Sequence, residues 1–306
     1  MKTAIVTGAD GFIGRHLIGQ LCQQGYEVYA FVHRDVVKQV KVMEHLHYLV
    51  CDLTDIFMFK SEVPDDIDIM FHFAWEGVRP AKRNDFTCQL RNIELTLKCL
   101  EFAAKKKVRT VLFPGSTNEY LFCGKPINDE SVPFPKDAYG SVKIALKYLG
   151  QQYARQNGIQ FLYVIIAGIY AADRRDNNVI FYVINSLLSR QKPSLTKLDQ
   201  LWDYVYIDDA IQALVSVGEQ GKPDTVYAIG HGDNWPLRNY IEIIRDKIDP
   251  SLPLGIGEVA YTGDKLPMSC IDLTNLQRDT GFVPQISFSE GIDRVIKSMK
   301  RERGLL

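Results

Sequence analysis

The chain has 306 residues, 46% of them hydrophobic and 24% charged, and its 36 basic and 37 acidic side chains leave a net charge of −1. That length suits one large α/β unit or two coupled domains, and the balanced charge excludes the electrostatic footprint of a nucleic-acid or anionic-membrane binder. The six cysteines (Cys22, Cys51, Cys88, Cys99, Cys123 and Cys270) show no CxxC spacing, which points away from a zinc site or disulfide framework and toward reduced thiols in a cytoplasmic protein.

In chain order, TAIVTG (3–8) reads as a strand whose apolar stretch is too short for a signal peptide. A helix over 14–25 follows, ending at Gly25, and then strands at 27–33, 47–52, 67–74 and 110–115. Helices over 86–105 and 138–156 flank the last of these, and FLYVIIAG (161–168) is a sixth strand. The longest mostly apolar run, 161–172, is too short to span a bilayer. Near-continuous apolar strands alternating with helices predict a Rossmann-like, doubly wound parallel sheet covered on both faces. Beyond residue 170 the pattern turns mixed, with helices at 179–188 and 239–248, a strand running into a helix at 200–214, and a strand at 226–230. The expected division is a dinucleotide-binding domain over 1–170, to which 201–231 returns, and a smaller mixed C-terminal substrate lobe over 171–306, walled by the turn-rich stretches 171–178 and 249–267.

TGADGFIG places Gly8, Gly11 and Gly14 between the first strand and first helix. Glycines there allow a tight turn and close approach of backbone to a pyrophosphate, and the helix N-terminus offers its unpaired N–H groups to the anion. At the end of the second strand, AFVHRD brings His33 and Arg34 where an acid would hold the ribose of NAD. Arg34 can pair bidentately with a 2′-phosphate, which favours NADP. Asp35 is the competing acid if the strand runs further, and it keeps NAD open. Asp52, after the third strand, either faces the adenine amine or caps a helix.

DAYGSVK sets Tyr139 and Lys143 four apart, on one face of a helix. An ammonium beside the phenol favours phenolate and lowers its pKa, which makes tyrosine usable in acid–base chemistry. No cluster of metal-ligating spacing accompanies it, and His72 and His231 read as structural.

Together TGADGFIG, HFAW (72–75), RNIELT (91–96), GSTNEY (115–120) and YGSVK (139–143) resemble the extended short-chain dehydrogenase/reductase family of nucleotide-sugar epimerases, 4,6-dehydratases and 4-ketoreductases. The resemblance runs to LQRDTGFVP (276–284). AWEG, GSTNEY, 194–210 and YTGDKLPM (261–268) are similar to a branch of reductases acting on 4-keto-6-deoxy sugars. It implies a cofactor site built from Gly8, Gly11, Phe12, Ile13, Gly14, His33, Arg34, Asp52, Leu53, Phe73, Ala74, Asn92, Tyr139 and Lys143. It also implies a hydroxyl–Tyr–Lys triad. The family's catalytic hydroxyl stands four residues before a tyrosine, which selects Ser116 before Tyr120; Thr117 is the alternative if the strand is one residue longer. The family's dehydratases carry an acidic pair, or one Glu, in the two positions after that hydroxyl. With Ser116 these are Thr117 and Asn118, and Glu119 becomes a substrate-hydroxyl acceptor or a structural acid; with Thr117, Glu119 takes the dehydratase position.

The resemblance implies a nucleotide-diphosphate sugar as substrate and, by analogy through the 86–105 and 138–156 helices, a homodimer. Trp202 stands where the family often has an arginine for the diphosphate, so Arg174, Arg175 and Arg190 are the candidate cations. Trp75, Trp202, Thr117, Asn118 and Glu119 are candidate sugar or base contacts. The function expected is NADPH-dependent reduction of a nucleotide-linked 4-keto sugar. The alternatives are 4-epimerisation, then 4,6-dehydration, then a non-catalytic cofactor-binding protein.

Overall fold

The apolar runs of the first half pair edge to edge because both their faces are hydrophobic and must be covered by helices. In the computed structural model, which describes residues 1–33, 43–174, 178–261 and 268–305, strands β1 (Thr3–Thr7), β2 (Glu27–Val32), β3 (Leu46–Val50), β4 (Ile69–His72), β5 (Thr110–Pro114) and β6 (Gln160–Ile166) lie in the order β3-β2-β1-β4-β5-β6. A seventh strand from the second half, Val226–Ile229, closes the far edge beside β6, and each pairing in the sheet is parallel. The strand order reverses between β1 and β4, so the crevice beyond their carboxyl ends is the topological switch point where such sheets bind ligands.

Helix α1 (Phe12–Gln23) begins two residues earlier than its sequence pattern implied, because Gly11 serves as its N-cap. It packs with α5 (Ile207–Gln220) on one face of the sheet. Helices α2 (Phe86–Lys105) and α3 (Ala138–Asn157) pack together on the other. Asp85 and Asp137 cap them, accepting the Cys88 and Gly140 N–H groups at 3.1 and 2.8 Å. Two buried clusters follow: one under α1 and α5 runs on into the C-terminal lobe, and the other lies under α2 and α3.

The C-terminal lobe is built from α4 (Val179–Leu188), α6 (Leu237–Ile248) and α8 (Phe288–Glu302), with α7 (Thr274–Thr280) against α5 and the edge strand. Short strand pairs join them: β7 (Gly168–Tyr170) with β10 (Tyr204–Tyr206), β8 (Ser194–Leu195) with β13 (Gly255–Ile256), and β9 (Leu201–Trp202) with β12 (Trp235–Pro236); the edge strand Val226–Ile229 is β11. No described helix is long and apolar enough to cross a membrane.

Candidate active site

The turn between β1 and α1 is shaped by what its glycines leave out. Gly8 has φ +67°, and a Cβ there would sit 2.6 Å from the Ala74 backbone nitrogen; a Cβ on Gly14 would sit 2.2 Å from the Gly8 carbonyl oxygen. The turn is tied by Gly11 N–H to Gly8 O at 3.0 Å and Ala9 N–H to Phe31 O at 3.1 Å. Gly11 supplies no side-chain cap, so the first N–H groups of α1 keep their donors for a ligand. This cradle, which any Cβ would fill, fits a dinucleotide pyrophosphate.

The turn opens on a cleft of about 430 Å³ lined by Gly8, Asp10, Gly11, Phe31, Val32, His33, Cys51, Asp52, Leu53, Phe73, Ala74, Trp75, Glu76 and Leu95. Asp52 both lines the cleft and caps the 3₁₀ helix Leu53–Phe59, accepting Thr54 N–H at 3.0 Å. That bond comes first among the influences holding its carboxyl below the usual range, and Arg91, 3.2 Å away, adds to it. Asp10, which sequence reasoning passed over inside TGADG, accepts the His33 N–H at 3.4 Å. Arg34, with the competing Asp35, lies outside the described residues. Phe12 and Ile13 form the first turn of α1, and the Arg174 guanidinium lies 4.0 Å from the Phe12 ring centroid.

Asn92 does not face the cleft's open space. It is buried, with Oδ1 accepting Glu76 N–H at 2.9 Å and Nδ2 donating to Glu76 O and Cys88 O at 3.0 and 3.1 Å. Gln89, unforeseen from the sequence, accepts from Trp75 Nε1 at 3.1 Å and donates to Gly77 O and Lys82 O. The two amides together mould the loop after β4. His72 is sealed in the same wall: Nδ1 lies 2.7 Å from Thr7 Oγ1 and Nε2 3.0 Å from Thr96 Oγ1. Burial holds its imidazole neutral, down at about 3.

The candidate hydroxyl, tyrosine and lysine gather where β5 ends. Ser116 caps the short 3₁₀ turn Thr117–Glu119, its Oγ accepting Asn118 N–H at 3.2 Å. The Ser116 side chain acts on the Tyr139 phenol, lowering it against the rise from burial. Lys143, on the same helix as Tyr139, is buried; its Nζ donates to Pro114 O at 2.8 Å and lies 3.6 Å from the Trp75 ring centroid. Trp75 lines the same cleft and packs T-shaped against Tyr139, ring centroids 5.6 Å apart.

The Tyr139 phenol is raised by burial, to about 12, rather than standing below its ordinary value. Burial dominates, and the groups working against it are Ser116 and Arg83, whose guanidinium lies 5.6 Å from the ring centroid. Arg83 had no signal in its local sequence. Its carbonyl accepts Tyr139 N–H at 3.0 Å, which anchors the loop after β4 to the start of α3. Glu119 is wholly enclosed, with Oε1 accepting Ser116 N–H and Oε2 accepting the Tyr163 hydroxyl. Asn118 is also buried, donating to Asp137 at 3.1 Å.

A second cavity of about 920 Å³ lies in the C-terminal lobe along α4, lined by Trp202 with Asn178, Tyr182, Asn185, Gln200, Tyr204, Arg303 and others. Arg190 is not among its lining residues; it is exposed and 3.8 Å from Asp249. Arg175 lies outside the described residues.

A parallel sheet with its switch-point cleft, glycine cradle and adjacent Ser–Tyr–Lys cluster defines a Rossmann-type dinucleotide protein. The profile of the NAD dependent epimerase/dehydratase family matches residues 4–230, and the chain belongs to that family of enzymes. It is 24% identical to CDP-abequose synthase of Salmonella typhimurium over 96% of this chain and 97% of that one. It is 21% identical to dTDP-4-dehydro-6-deoxyglucose reductase of Escherichia coli, over 97% of each. Among solved structures, a variant UDP-glucuronic acid 4-epimerase of Bacillus cereus, in complex with a 4-deoxy-4-fluoro derivative of UDP-glucuronic acid and NAD, superposes with a TM-score of 0.83 at 20% identity, covering 98% of this chain and 99% of that one.

Proposed function

We propose that the protein reduces the 4-keto group of a nucleotide-linked, 6-deoxy sugar with NADPH. The observation that carries this reading is the enclosure of Glu119. With Ser116 as the hydroxyl beside Tyr139, the two following positions are Thr117 and Asn118, neither of which can take a proton from carbon. Glu119 has both oxygens committed, one to Ser116 N–H and one to the Tyr163 hydroxyl. That leaves proton delivery to an oxygen, the chemistry of ketone reduction, and removes the acid–base pair a dehydration needs.

The nicotinamide cofactor, when bound in the 430 Å³ cleft, supplies the hydride. The chain's own residues do the rest. Ser116 donates to the sugar carbonyl oxygen and Tyr139 delivers the proton; a phenol held at about 12 keeps that proton at neutral pH. Lys143 holds the ribose side of the site, and Trp75 and Phe113 exclude water around it, 3.6 and 4.7 Å from its ammonium. The larger cavity along α4 takes the nucleotide end, with Trp202 and Tyr204 as stacking surfaces and Arg174 as a cation for the diphosphate. Two copies pair through the outer faces of α2 and α3, where Phe86, Leu90, Tyr148 and Leu149 are exposed.

NADPH preference rests on Arg34. A charge-assisted bond to a 2′-phosphate contributes about 1.5–3 kcal/mol, roughly ten- to a hundredfold in affinity. Titrating both cofactors by fluorescence at one ionic strength checks this: NADPH binds tighter, and Arg34→Ala narrows the gap by weakening NADPH. Equal affinities in the parent protein contradict it. Purified protein that retains oxidised cofactor would instead favour 4-epimerisation.

A further inference from the structure

The turn that carries Ser116 is held from beneath by a carboxylate that proton transfer at Tyr139 does not itself require. Glu119 is 0% exposed. Its Oε1 accepts Ser116 N–H at 2.5 Å and its Oε2 accepts the Tyr163 hydroxyl, from β6, at 2.6 Å. Gly115 is what admits that tyrosine: a Cβ on residue 115 would lie 2.4 Å from the Tyr163 hydroxyl oxygen. Gly115 N–H in turn donates to Val164 O at 2.7 Å, and Lys143 reaches the same turn from α3 through Pro114 O at 2.8 Å. The turn is therefore pinned from the sheet and from the helix at once.

Burying a carboxylate is costly unless something compensates it. Its hydrogen bonds supply one part. The other is Lys143, itself 3% exposed, boxed by Trp75 and Phe113, with Glu119 as the charge that acts on it. We propose that Glu119 is a positioning residue, which fixes Ser116 from beneath and sets a buried negative charge against Lys143, the two side chains gripping one turn through Ser116 N–H and Pro114 O. This rests on the reading of Ser116, Tyr139 and Lys143 as the reacting group.

Several groups face the pair. Tyr163 comes from β6, Lys147 and Tyr139 from α3, and Tyr120 from the same turn; His72 faces Lys143 from β4. Burial pushes Glu119 up and Lys143 down, and each charge opposes the other's shift. Glutamine at 119 can still accept from Ser116 and Tyr163, so its effect separates charge from shape.

The test is a pH titration of protein carrying 13Cε-labelled lysine, followed by NMR, with the Lys143 resonance assigned by its loss in Lys143→Arg. In Glu119→Gln the Lys143 midpoint falls by about one pH unit or more, while circular dichroism stays that of the parent. An unmoved midpoint in the folded variant overturns the proposal. If Glu119→Gln does not fold, Tyr163→Phe serves: it removes a donor from the carboxylate, raises the titration of Glu119 and lowers the Lys143 midpoint, and no shift there is equally fatal. The titration needs no sugar substrate, so it reads independently of whether the reductase reading holds.

Discussion

At Tyr139 the chemistry depends on a proton held in a buried place. The phenol is raised by burial to about 12, so at neutral pH it is a donor. Tyr139→Phe removes that donor and leaves the cleft walls in place. General acid catalysis contributes about 10²–10⁴ in rate, so kcat falls by that factor while cofactor affinity stays within about twofold. A kcat within about twofold of the parent, with chemistry rate-limiting, takes Tyr139 out of the mechanism. The neighbouring hydroxyls give a finer test. Ser116→Ala loses a transition-state hydrogen bond, about 2–4 kcal/mol if it behaves as an oxyanion donor, and Thr117→Val loses far less. The reverse ranking would move the register by one residue and put Glu119 on the dehydratase position. The spacing YGSVK was enough to place Tyr139 and Lys143 on one helical face. The sign of the phenol's shift was not legible, because it depends on how deeply tertiary packing buries the ring.

Among elements, His72 is the cross-tie. It joins β1 through Thr7 and α2 through Thr96 while standing at the end of β4. Its folded pKa is depressed, from 6.5 to about 3, chiefly by burial. Below pH 6.5 the unfolded chain takes up a proton there that the folded chain refuses, so stability is present above that pH and is lost as pH falls toward 3. The loss is about 1.4 kcal/mol per pH unit once the unfolded form is protonated. Urea unfolding at pH 7.5 and 5.0 checks it: the parent loses more stability over that interval than His72→Gln does. Equal losses would mean that the folded protein accommodates the imidazolium. The sheet strands were legible because burial on both faces leaves near-continuous apolar runs. The two-residue strands β8, β9, β12 and β13 were not, because nothing local specifies them; they exist where the lobe's segments meet. Tyr163 was hidden for a similar reason, since its place in an apolar strand gives no hint of a bond to Glu119 across the sheet's end.

For the whole molecule, the outer faces of α2 and α3 carry Phe86 and Leu90, exposed by 69% and 59%, beside Tyr148 and Leu149. Apolar groups collected on one helical pair are the surface the proposed homodimer would bury. The proposed homodimer predicts that Leu90→Glu shifts the protein to monomer in sedimentation velocity with its fold intact; a parent that is already monomeric at micromolar concentration contradicts it. The family and the parallel, doubly wound sheet were readable from glycine spacing and strand pattern, whereas the lobe's cavity was not, since its walls come from segments far apart in sequence. The central claim is hydride delivery to a sugar carbonyl carbon with the proton supplied by Tyr139. It is tested most directly by incubating the protein with NADPH deuterated at the transferring position and a dTDP-linked 4-keto-6-deoxy sugar, then locating the label by NMR. The account predicts one deuterium at sugar C4 for each NADPH oxidised, and no product with Tyr139→Phe above the residual rate. Product formed without deuterium at C4, or without NADPH consumed, would contradict it.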